Sequence, residues 1–476
     1  MIKRDVIVIG GGAGGLVTTS VLSQLGLKVS LFERQSSLGG DCLHYGCVPS
    51  KTLIHSAKVA HLIRHASDFG LDLSSHVLAT HHVMQHVQDV VAQIQLHDAK
   101  ERFESYGADI LFHTPKFLNS DELLCGDDRY TAKRFVIATG SSPVIPEIPG
   151  LDQVEYLTNE TIFSLPSIPK RLLVLGGGPV GVELAQAMQR LGSQVTIVET
   201  ASRVLKSLDE DITDLLQECL VAEGVRLVFD HDVTSIEQSQ GEITLNLMHG
   251  LNGTRHQLTT DAIVIATGRK PNIAGLGLDA ADIATVAQGI CVDKRLRSSQ
   301  KTIYAVGDVV AMSDKFTHVA EYHAGIAIAN IAFRWPKTVN YSAVPRVIYT
   351  DPEIASVGLT EHQAKQMNQA FEVHEFQFRD VDRALAEVAP MGKAKCLIHK
   401  GRLLGATIIG THAGELIAEF VLVLQGKLNL KSISETMHAY PTLSQVNRRV
   451  VNQYFAKQLF SPTARRIVMW LNKALP

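Results

Sequence analysis

The sequence lacks long hydrophobic runs, an excess of one charge and a regular framework of cysteines. It contains no stretch of about 18 apolar residues, so no membrane-spanning helix is expected. Its 45 basic and 48 acidic residues give a formal net charge of −3, which argues against a nucleic-acid-coating surface. Hydrophobic residues make up 45% and charged residues 20%, a globular mix that excludes disorder. At roughly 150 residues per domain, 476 residues predict about three domains.

Only one pair of the six cysteines lies close together in the sequence. Four are single and are typical of buried small hydrophobic residues: Cys125, Cys219, Cys291 and Cys396. The N-terminal stretch 1–5 leads directly into a strand pattern without a hydrophobic signal region, so we expect a reducing, cytoplasmic compartment. In such a compartment the close pair, Cys42 and Cys47, is more often catalytic than structural.

A strand, a glycine-rich turn, a helix and a second strand ending in an acid occur twice in the sequence. Both turns fit the pattern G-x-G-x-x-G, with Gly10, Gly12 and Gly15 in the first copy and Gly176, Gly178 and Gly181 in the second. The closing acids are Glu33 and Glu199, each 23 positions after the first glycine (33 − 10 and 199 − 176). The repeated context makes a chance match improbable.

Each residue type in this pattern serves dinucleotide binding. The first glycine makes a tight turn, the second lets backbone approach a pyrophosphate, and the third lets the helix pack on the strand. The helix N-terminus offers N–H groups to the phosphates, and the acid accepts hydrogen bonds from the ribose hydroxyls. Each copy closes with an apolar strand and Ala-Thr-Gly, at Thr139–Gly140 and at Gly268. Two such sites and a cysteine pair indicate electron transfer between two cofactors and onward to sulfur.

After the second copy, the sequence shows a different order of predicted strands and helices. Residues 301–308 predict a strand that ends in Gly-Asp, and the runs 347–352, 394–398 and 404–409 also predict strands. Residues 413–424 have a helical pattern. We therefore expect a separate α+β unit, with its boundary near the Trp335–Lys337 break.

The cysteine pair cannot form a disulfide within a regular helix. Residues five apart point about 140° away from each other, so the turn between Cys42 and Cys47 must be distorted, and Gly46 permits that. A strained, accessible disulfide is readily reduced. Lys51 follows Cys47 by four positions, so the two side chains share a helix face.

The stretch 39–51, Gly-Gly-Asp-Cys-Leu-His-Tyr-Gly-Cys-Val-Pro-Ser-Lys, resembles the redox-active stretch of the flavin-dependent pyridine nucleotide–disulfide oxidoreductases. This family includes glutathione reductase, dihydrolipoamide dehydrogenase and mercuric reductase, and the likeness extends to 438–444. It implies an α/β fold with two Rossmann-like dinucleotide-binding domains, for FAD and for NAD(P), and a C-terminal α+β dimerisation domain. The implied domains are a discontinuous FAD-binding domain (1–152 and 270–337), an NAD(P)-binding domain (153–269) and a dimerisation domain (338–476) that forms a homodimer.

The resemblance also implies the route of the electrons. They pass from nicotinamide to FAD and then to the Cys42–Cys47 disulfide, with Cys47 as the thiolate against the flavin and Cys42 as the thiol that attacks substrate. The implied catalytic residues are Cys42, Cys47, Lys51, Glu183 and Tyr440. The implied cofactor-binding residues are Gly10, Gly12, Gly15, Glu33, Lys51, Thr139, Gly140, Gly176, Gly178, Gly181, Glu199, Gly268 and Asp308, of which Asp308 binds the ribityl chain.

The C-terminal stretch departs from the best-known members. Disulfide-reducing members have His-Pro-Thr-x-x-Glu there, whereas this chain has Tyr440-Pro-Thr-Leu-Ser-Gln445. A phenol with an ordinary pKa near 10 is a poor base at neutral pH, so turnover of glutathione or dihydrolipoamide by the usual route is not expected. Either Tyr440 or His438 replaces the missing base, and in an extended segment these two side chains point to opposite faces.

Tyrosine at this place resembles the mercuric reductase branch. The C-terminal cysteine pair of that branch has no counterpart, because no cysteine follows Cys396. We therefore predict a small disulfide or a thiophilic metal ion as the acceptor. The alternatives are a diaphorase or quinone reductase that bypasses the cysteines, a dihydrolipoamide dehydrogenase, and a redox-inactive flavoprotein subunit.

Further residues bear on the nucleotide and on metals. Glu199 favours NADH because its charge repels the 2′-phosphate of NADPH. The basic residues Arg203 and Lys206 partly offset this repulsion, so NADPH remains an alternative. The 20 histidines include pairs at helical spacing, His61/His65 and His82/His86, which we interpret as solvated helix faces, so no metal site is predicted. The tail 464–475 is expected to pack at the dimer interface.

Overall fold

The structure, a computed structural model, describes residues 1–72 and 79–474. Its strands are β1 (Ile2–Ile9), β2 (Val29–Phe32), β3 (Asp109–Leu111), β4 (Lys116–Phe117), β5 (Glu122–Cys125), β6 (Asp128–Ile137), β7 (Ser141–Pro143), β8 (Arg171–Leu175), β9 (Gln194–Val198), β10 (Arg226–Val228), β11 (His231–Ser239), β12 (Glu242–His249), β13 (Arg255–Thr260), β14 (Ala262–Ile265), β15 (Arg269–Pro271), β16 (Thr285–Val286), β17 (Gly289–Ile290), β18 (Ile303–Ala305), β19 (Arg346–Ile348), β20 (Glu353–Gly358), β21 (Glu372–Gln377), β22 (Lys393–His399) and β23 (Arg402–Gly410).

The α-helices are α1 (Ala13–Gln24), α2 (Gly40–His44), α3 (Cys47–Arg64), α4 (Val83–Gln95), α5 (Lys100–Ser105), α6 (Pro179–Arg190), α7 (Glu210–Ala222), α8 (Thr317–Ala332), α9 (Glu361–Gln366), α10 (Asp382–Ala386), α11 (Ala413–Leu416), α12 (Ala418–Leu424), α13 (Leu430–Glu435), α14 (Gln445–Leu459) and α15 (Pro462–Ala474). The chain divides into two compact units. Among the described residues, the first comprises 1–57, 79–200 and 227–340, and the second comprises 58–72, 201–226 and 341–474.

The largest sheet of the first unit has seven strands in the order β3-β2-β1-β6-β5-β4, with β18 also paired to β6. The pairs among β3, β2, β1, β6 and β18 are parallel. Alternate residues of β1 enter two different hydrophobic clusters, Val6 and Val8 one of them and Ile7 and Ile9 the other. Because both faces of a parallel sheet are covered, its central strand is an uninterrupted apolar run.

The second glycine motif belongs to a four-stranded sheet of order β10-β9-β8-β14 in which β8 pairs in parallel with β9 and β14. A three-stranded antiparallel sheet, β11-β12-β13, follows it in the chain. Strands β7 and β15, which follow the two Ala-Thr-Gly sequences, pair with each other. Each glycine motif therefore lies at the carboxyl end of a central parallel strand, where such sheets bind ligands.

The second unit contains an antiparallel sheet of five strands in the order β19-β20-β23-β22-β21. Helix α14 contributes Val446 and Val450 to the hydrophobic cluster on this sheet. The predicted helix 413–424 is present as two helices, α11 and α12. Helix α15 has no buried residue, and its packing at a dimer interface stays a prediction.

The predicted fold class, two dinucleotide-binding α/β sheets and a C-terminal α+β part, is confirmed. The predicted domain boundaries remain predictions. Among the described residues, no helix has both the length and the hydropathy needed to span a bilayer.

Candidate active site

The two glycine motifs have the same backbone geometry. Gly10 and Gly176 have φ values of +108° and +111°, in the left-handed region that favours glycine. A Cβ on Gly15 would lie 1.8 Å from the carbonyl oxygen of Gly10, and one on Gly181 would lie 2.0 Å from that of Gly176. Only glycine therefore lets each helix approach the preceding turn this closely.

The middle glycines border open space. A Cβ on Gly178 would meet nothing within 4 Å, and one on Gly12 only the Cα of Gly40 at 3.8 Å. Gly12 and Gly178 are also the N-cap residues of α1 and α6, and neither helix has a side-chain hydrogen bond at its cap. The N-terminal N–H groups and the positive end of each helix dipole can thus hold phosphate, and both sites fit a dinucleotide.

The acid of each motif is fixed by the glycine turn. Glu33 is buried and accepts hydrogen bonds from the N–H of Gly11 at 2.6 Å and from that of Gln35 at 2.8 Å. Glu199 accepts the N–H of Gly177 at 2.6 Å. A carboxylate has about four lone-pair positions, so the two N–H groups that Glu33 accepts leave acceptor capacity for ribose hydroxyls.

The two cysteines lie on either side of a break between two helices. Cys42 lies in α2, and Cys47 is the first residue of α3, so the distortion predicted from their spacing is confirmed. A Cβ on Gly46 would lie 3.0 Å from both the carbonyl oxygen and Oδ2 of Asp41. A side chain at this position would therefore press on Asp41, and glycine avoids that contact.

The pKa values of the two thiols are shifted in opposite directions. The pKa of Cys47 is lowered to about 6, mainly by the hydrogen bond from Cys42. The Thr317 hydroxyl, 3.2 Å from the Cys47 sulfur, and the Lys51 ammonium act in the same direction. The same hydrogen bond, together with burial, raises the pKa of Cys42. These opposite shifts favour a thiolate on Cys47 and a proton on Cys42 in the reduced pair.

The Lys51–Glu183 pair joins the cysteine helix to the second glycine motif. Lys51 lies one turn after Cys47 in α3, and its ammonium is 3.0 Å from Oε2 of Glu183, which lies in α6. The Glu183 side chain is buried, whereas about a third of the Lys51 side chain is exposed. The ammonium lowers the pKa of Cys47.

A polar network that the sequence analysis missed surrounds Asp308. The Asp308 carboxylate accepts the Ser141 hydroxyl at 2.7 Å, and burial raises its pKa. Arg269 donates to the same hydroxyl at 2.8 Å and pairs with Asp41 at 2.9 Å. Asn159 donates to Asp41 at 3.3 Å. The available signal was that Ser141 and Arg269 directly follow the two Ala-Thr-Gly sequences.

Thr139, expected to bind cofactor, contacts the chain itself. Its hydroxyl donates to the carbonyl oxygen of Asn272 at 2.7 Å, and the Asn272 amide donates to the Thr139 carbonyl oxygen at 2.9 Å. Gly140 and Gly268 have φ values of +66° and +130° with open space around them. These three residues shape the turns after β6 and β14.

Tyr440 and His438, both in the second unit, have separate partners. The Tyr440 hydroxyl donates to Asp382 at 2.9 Å, a contact that raises the pKa of the exposed tyrosine. The His438 ring lies 3.1 Å from Glu419 through Nε2 and 3.0 Å from the Thr436 carbonyl oxygen through Nδ1. Both ring nitrogens thus face oxygen acceptors, which leaves Tyr440 as the accessible group of the two.

Comparison with known proteins agrees with this arrangement. A family model described as "Pyridine nucleotide-disulphide oxidoreductase" matches residues 4–327, and the dimerisation domain of the same family matches residues 344–450. The chain belongs to the pyridine nucleotide–disulfide oxidoreductases. It is a FAD- and NAD(P)-dependent enzyme acting on sulfur groups, as the family resemblance predicted.

Relatives of this oxidoreductase have different substrates. A mercuric reductase from Lysinibacillus sphaericus is 33% identical over 444 residues, covering 93% of this chain and 81% of the relative. A dihydrolipoyl dehydrogenase from Trypanosoma brucei brucei is 36% identical over 471 residues, covering 96% of this chain and 97% of the relative. The HOCl-induced flavoprotein disulfide reductase RclA from Escherichia coli, solved as a Cu(II) complex, superposes with a TM-score of 0.84 at 25% identity over 94% of this chain and 99% of RclA.

Proposed function

We propose that this oxidoreductase takes electrons from NADH, passes them to the Cys42–Cys47 disulfide and delivers them to a thiophilic metal ion or a small disulfide. FAD, when bound, supplies the two-electron relay between nicotinamide and sulfur. Two electrons and one proton break the S–S bond, leaving the thiolate on Cys47 and the proton on Cys42. The lowered pKa of Cys47 supports this assignment.

The protonated state of Cys42 favours a metal ion over a disulfide. To attack a disulfide, Cys42 must first lose its proton to a base, and the raised pKa of Cys42 opposes that loss. The C-terminal stretch offers Tyr440, whose pKa is itself raised, in place of a histidine. A thiophilic cation instead displaces the proton as it binds sulfur. Transfer of two electrons, to one mercuric ion or to two cupric ions in succession, then returns the cysteines to the disulfide.

The contacts that Glu199 and Arg203 make within the chain support NADH as the nucleotide. Glu199 holds its carboxylate against the N–H of Gly177, where it would repel a 2′-phosphate. Arg203 donates to Glu210 at 3.0 Å and to the Leu208 carbonyl oxygen at 3.1 Å, so its guanidinium already has acceptors. We expect kcat/KM to be at least about tenfold higher with NADH, and replacement of Glu199 with alanine to narrow that ratio.

We also propose that two chains form a homodimer through the C-terminal part and work in the cytoplasm. The match of residues 344–450 to the family's dimerisation domain supports the homodimer. The compartment rests on the sequence alone. Sedimentation of the FAD-loaded protein tests the dimer directly, because a monomer at micromolar concentration would contradict it.

An acceptor comparison tests the proposed substrate class. The FAD-loaded protein is given NADH with mercuric ion, cupric ion, oxidised glutathione or lipoamide in parallel. We expect turnover with a metal ion to exceed turnover with either disulfide by about tenfold or more. Lipoamide turnover as fast as metal turnover would refute the argument from Cys42 and Tyr440.

Thiol trapping tests the electron route separately from the acceptor. The oxidised protein is reduced with NADH without acceptor, alkylated and digested. We expect two newly alkylated residues, Cys42 and Cys47, and unchanged labelling of Cys125 and Cys291. If no new thiol forms while the flavin is reduced, the cysteines are bypassed, as in a diaphorase.

A further inference from the structure

Three histidines lie on one face of the three-stranded sheet β11-β12-β13. His231 is directly opposite His249 in the antiparallel register. His256 is opposite Leu247, which is two residues from His249 and therefore on the same face. The ring centroid of His231 is 4.9 Å from that of His249 and 4.4 Å from that of His256.

The central imidazole has one nitrogen without a partner. His231 is only 7% exposed, and its Nδ1 hydrogen-bonds the carbonyl oxygen of Phe229. Because a carbonyl only accepts, Nδ1 carries the hydrogen, and Nε2 of the neutral ring presents a lone pair. Nε2 is buried and has no hydrogen-bond partner among the described residues. An unsatisfied buried acceptor is costly to the fold, so this atom points to a ligand.

We propose that His231, His249 and His256 form a binding site for a borderline divalent transition-metal ion such as Zn²⁺ or Cu²⁺. Histidines that bind metal through Nε2 commonly donate Nδ1–H to a backbone carbonyl, as His231 does. Imidazole nitrogens select these ions over Mg²⁺ and Ca²⁺, which prefer oxygen. Two imidazoles on one tetrahedral ion have ring centroids about 5 Å apart, close to the observed spacings.

The side chains must rotate before nitrogens of all three rings can bind one ion. Among the described residues, the nearest nitrogens of the three rings do not all lie within 4.8 Å of one another. His256 is exposed, so its ring can turn towards Nε2 of His231. His249 accepts the N–H of Leu251 through Nδ1 at 3.2 Å, a long hydrogen bond that its rotation would release.

The acidic cluster in the second unit does not provide an equivalent site. Asp209, Asp211 and Glu361 are close enough to share an ion. The buried ammonium of Lys395 already lies 2.9, 2.7 and 3.0 Å from these three carboxylates, respectively. A dication there would have to displace this ammonium.

Zinc titration of the oxidised, FAD-loaded, full-length protein tests the site. Oxidation keeps Cys42 and Cys47 in a disulfide, which removes their thiolates as competing ligands. By calorimetry we expect one tight Zn²⁺ per chain, and at least tenfold weaker binding after H256N or H249N. His82, one of the exposed pair His82/His86 outside this sheet, provides the matched control. H82N should leave the zinc affinity within twofold of the parent value.

Cobalt absorption provides a second readout that does not depend on substituting the buried His231. Co²⁺ bound by imidazole in a tetrahedral site has visible d–d bands, and these should appear in the parent protein and in H82N but not in H256N. NADH turnover should be unchanged by H256N, so the result is separable from the proposed function. Unaltered zinc affinity and cobalt spectra in both H256N and H249N would overturn the proposal.

Discussion

Asp41 connects the two thiols with the rest of the site. Its carboxylate lies next to Cys42 in the chain, pairs with Arg269 at 2.9 Å and accepts from Asn159 at 3.3 Å. Its negative charge raises the pKa of both Cys42 and Cys47. The charge therefore opposes the Lys51 ammonium in setting the thiolate population of the reduced pair, to which the hydrogen bond from Cys42 contributes most.

Replacement of Asp41 with asparagine should lower the pKa of Cys47. The change removes a like charge beside the thiolate while keeping a polar side chain towards Arg269, so we expect a decrease of up to about one pH unit. The rate of iodoacetamide alkylation of the reduced protein, followed against pH, measures it. Glu155→Gln, at an exposed acid outside the network, is the control. An alkylation profile that moves to higher pH in Asp41→Asn would contradict the assignment.

Each glycine turn forms one element with the helix that follows it. Gly176 makes the left-handed turn, Gly181 allows the contact with its carbonyl oxygen, and Gly178 faces open space. Only the middle position is therefore free of packing demands from the protein itself. The two functions of the motif, folding and phosphate binding, can be separated by substitution at different glycines.

Gly178→Ala should weaken nucleotide binding without unfolding the protein. The new methyl group enters the space beside the N-terminus of α6 that the phosphates need, so we expect KM for NADH to rise about tenfold or more. The melting temperature should stay close to that of the parent. Gly325→Ala, which also adds a methyl group with nothing within 4 Å, should change neither quantity. An unchanged KM in Gly178→Ala would place the phosphates elsewhere.

Helix α8 supports the turn that carries Asp308. The ring of His323 is fully buried and its Nδ1 accepts the N–H of Gly307 at 3.1 Å. Burial lowers the pKa of His323 from 6.5 to about 4. The unfolded chain therefore binds a proton at higher pH than the folded protein does, and stability is lost as the pH falls from 6.5 towards 4.

His323→Gln should flatten this pH dependence, because the amide oxygen can accept from Gly307 but does not titrate. Between pH 7.5 and 5 we expect the parent to lose about 2 kcal/mol more unfolding free energy than the variant. Urea unfolding at the two pH values measures the difference. His65→Gln, at an exposed histidine, should behave as the parent. Equal losses in His323→Gln and the parent would show that the buried ring is not the titrating group.

Local patterns made much of the fold and of the cofactor sites predictable. The glycine spacing, the strand-ending acids and the helical spacing of Cys47 and Lys51 depend on neighbouring residues, and the structure retains them. The Arg269–Asp41 pair was not predictable, because it joins two distant parts of the chain through the pairing of β7 with β15. The histidine cluster depends likewise on the register of three strands, which residue spacing alone does not fix.

At the scale of the whole molecule, two glycine motifs accompany one pair of sulfur atoms. Both glycine motifs, the cysteine pair and the Lys51–Glu183 contact belong to the first unit. The relatives show that this family architecture serves more than one substrate, since they include a mercuric reductase and a dihydrolipoyl dehydrogenase. Cys42 is the residue on which the proposed route depends.

The most direct test replaces Cys42 with serine in the full-length, FAD-loaded protein. We predict that NADH still reduces the bound flavin, because the nucleotide sites are intact, while reduction of the preferred metal ion or disulfide falls by at least about a hundredfold. Cys125→Ser, at a single cysteine of the first unit, should keep the activity of the parent. If Cys42→Ser reduced the acceptor as fast as the parent, the electrons would bypass the cysteines and the proposed function would be wrong.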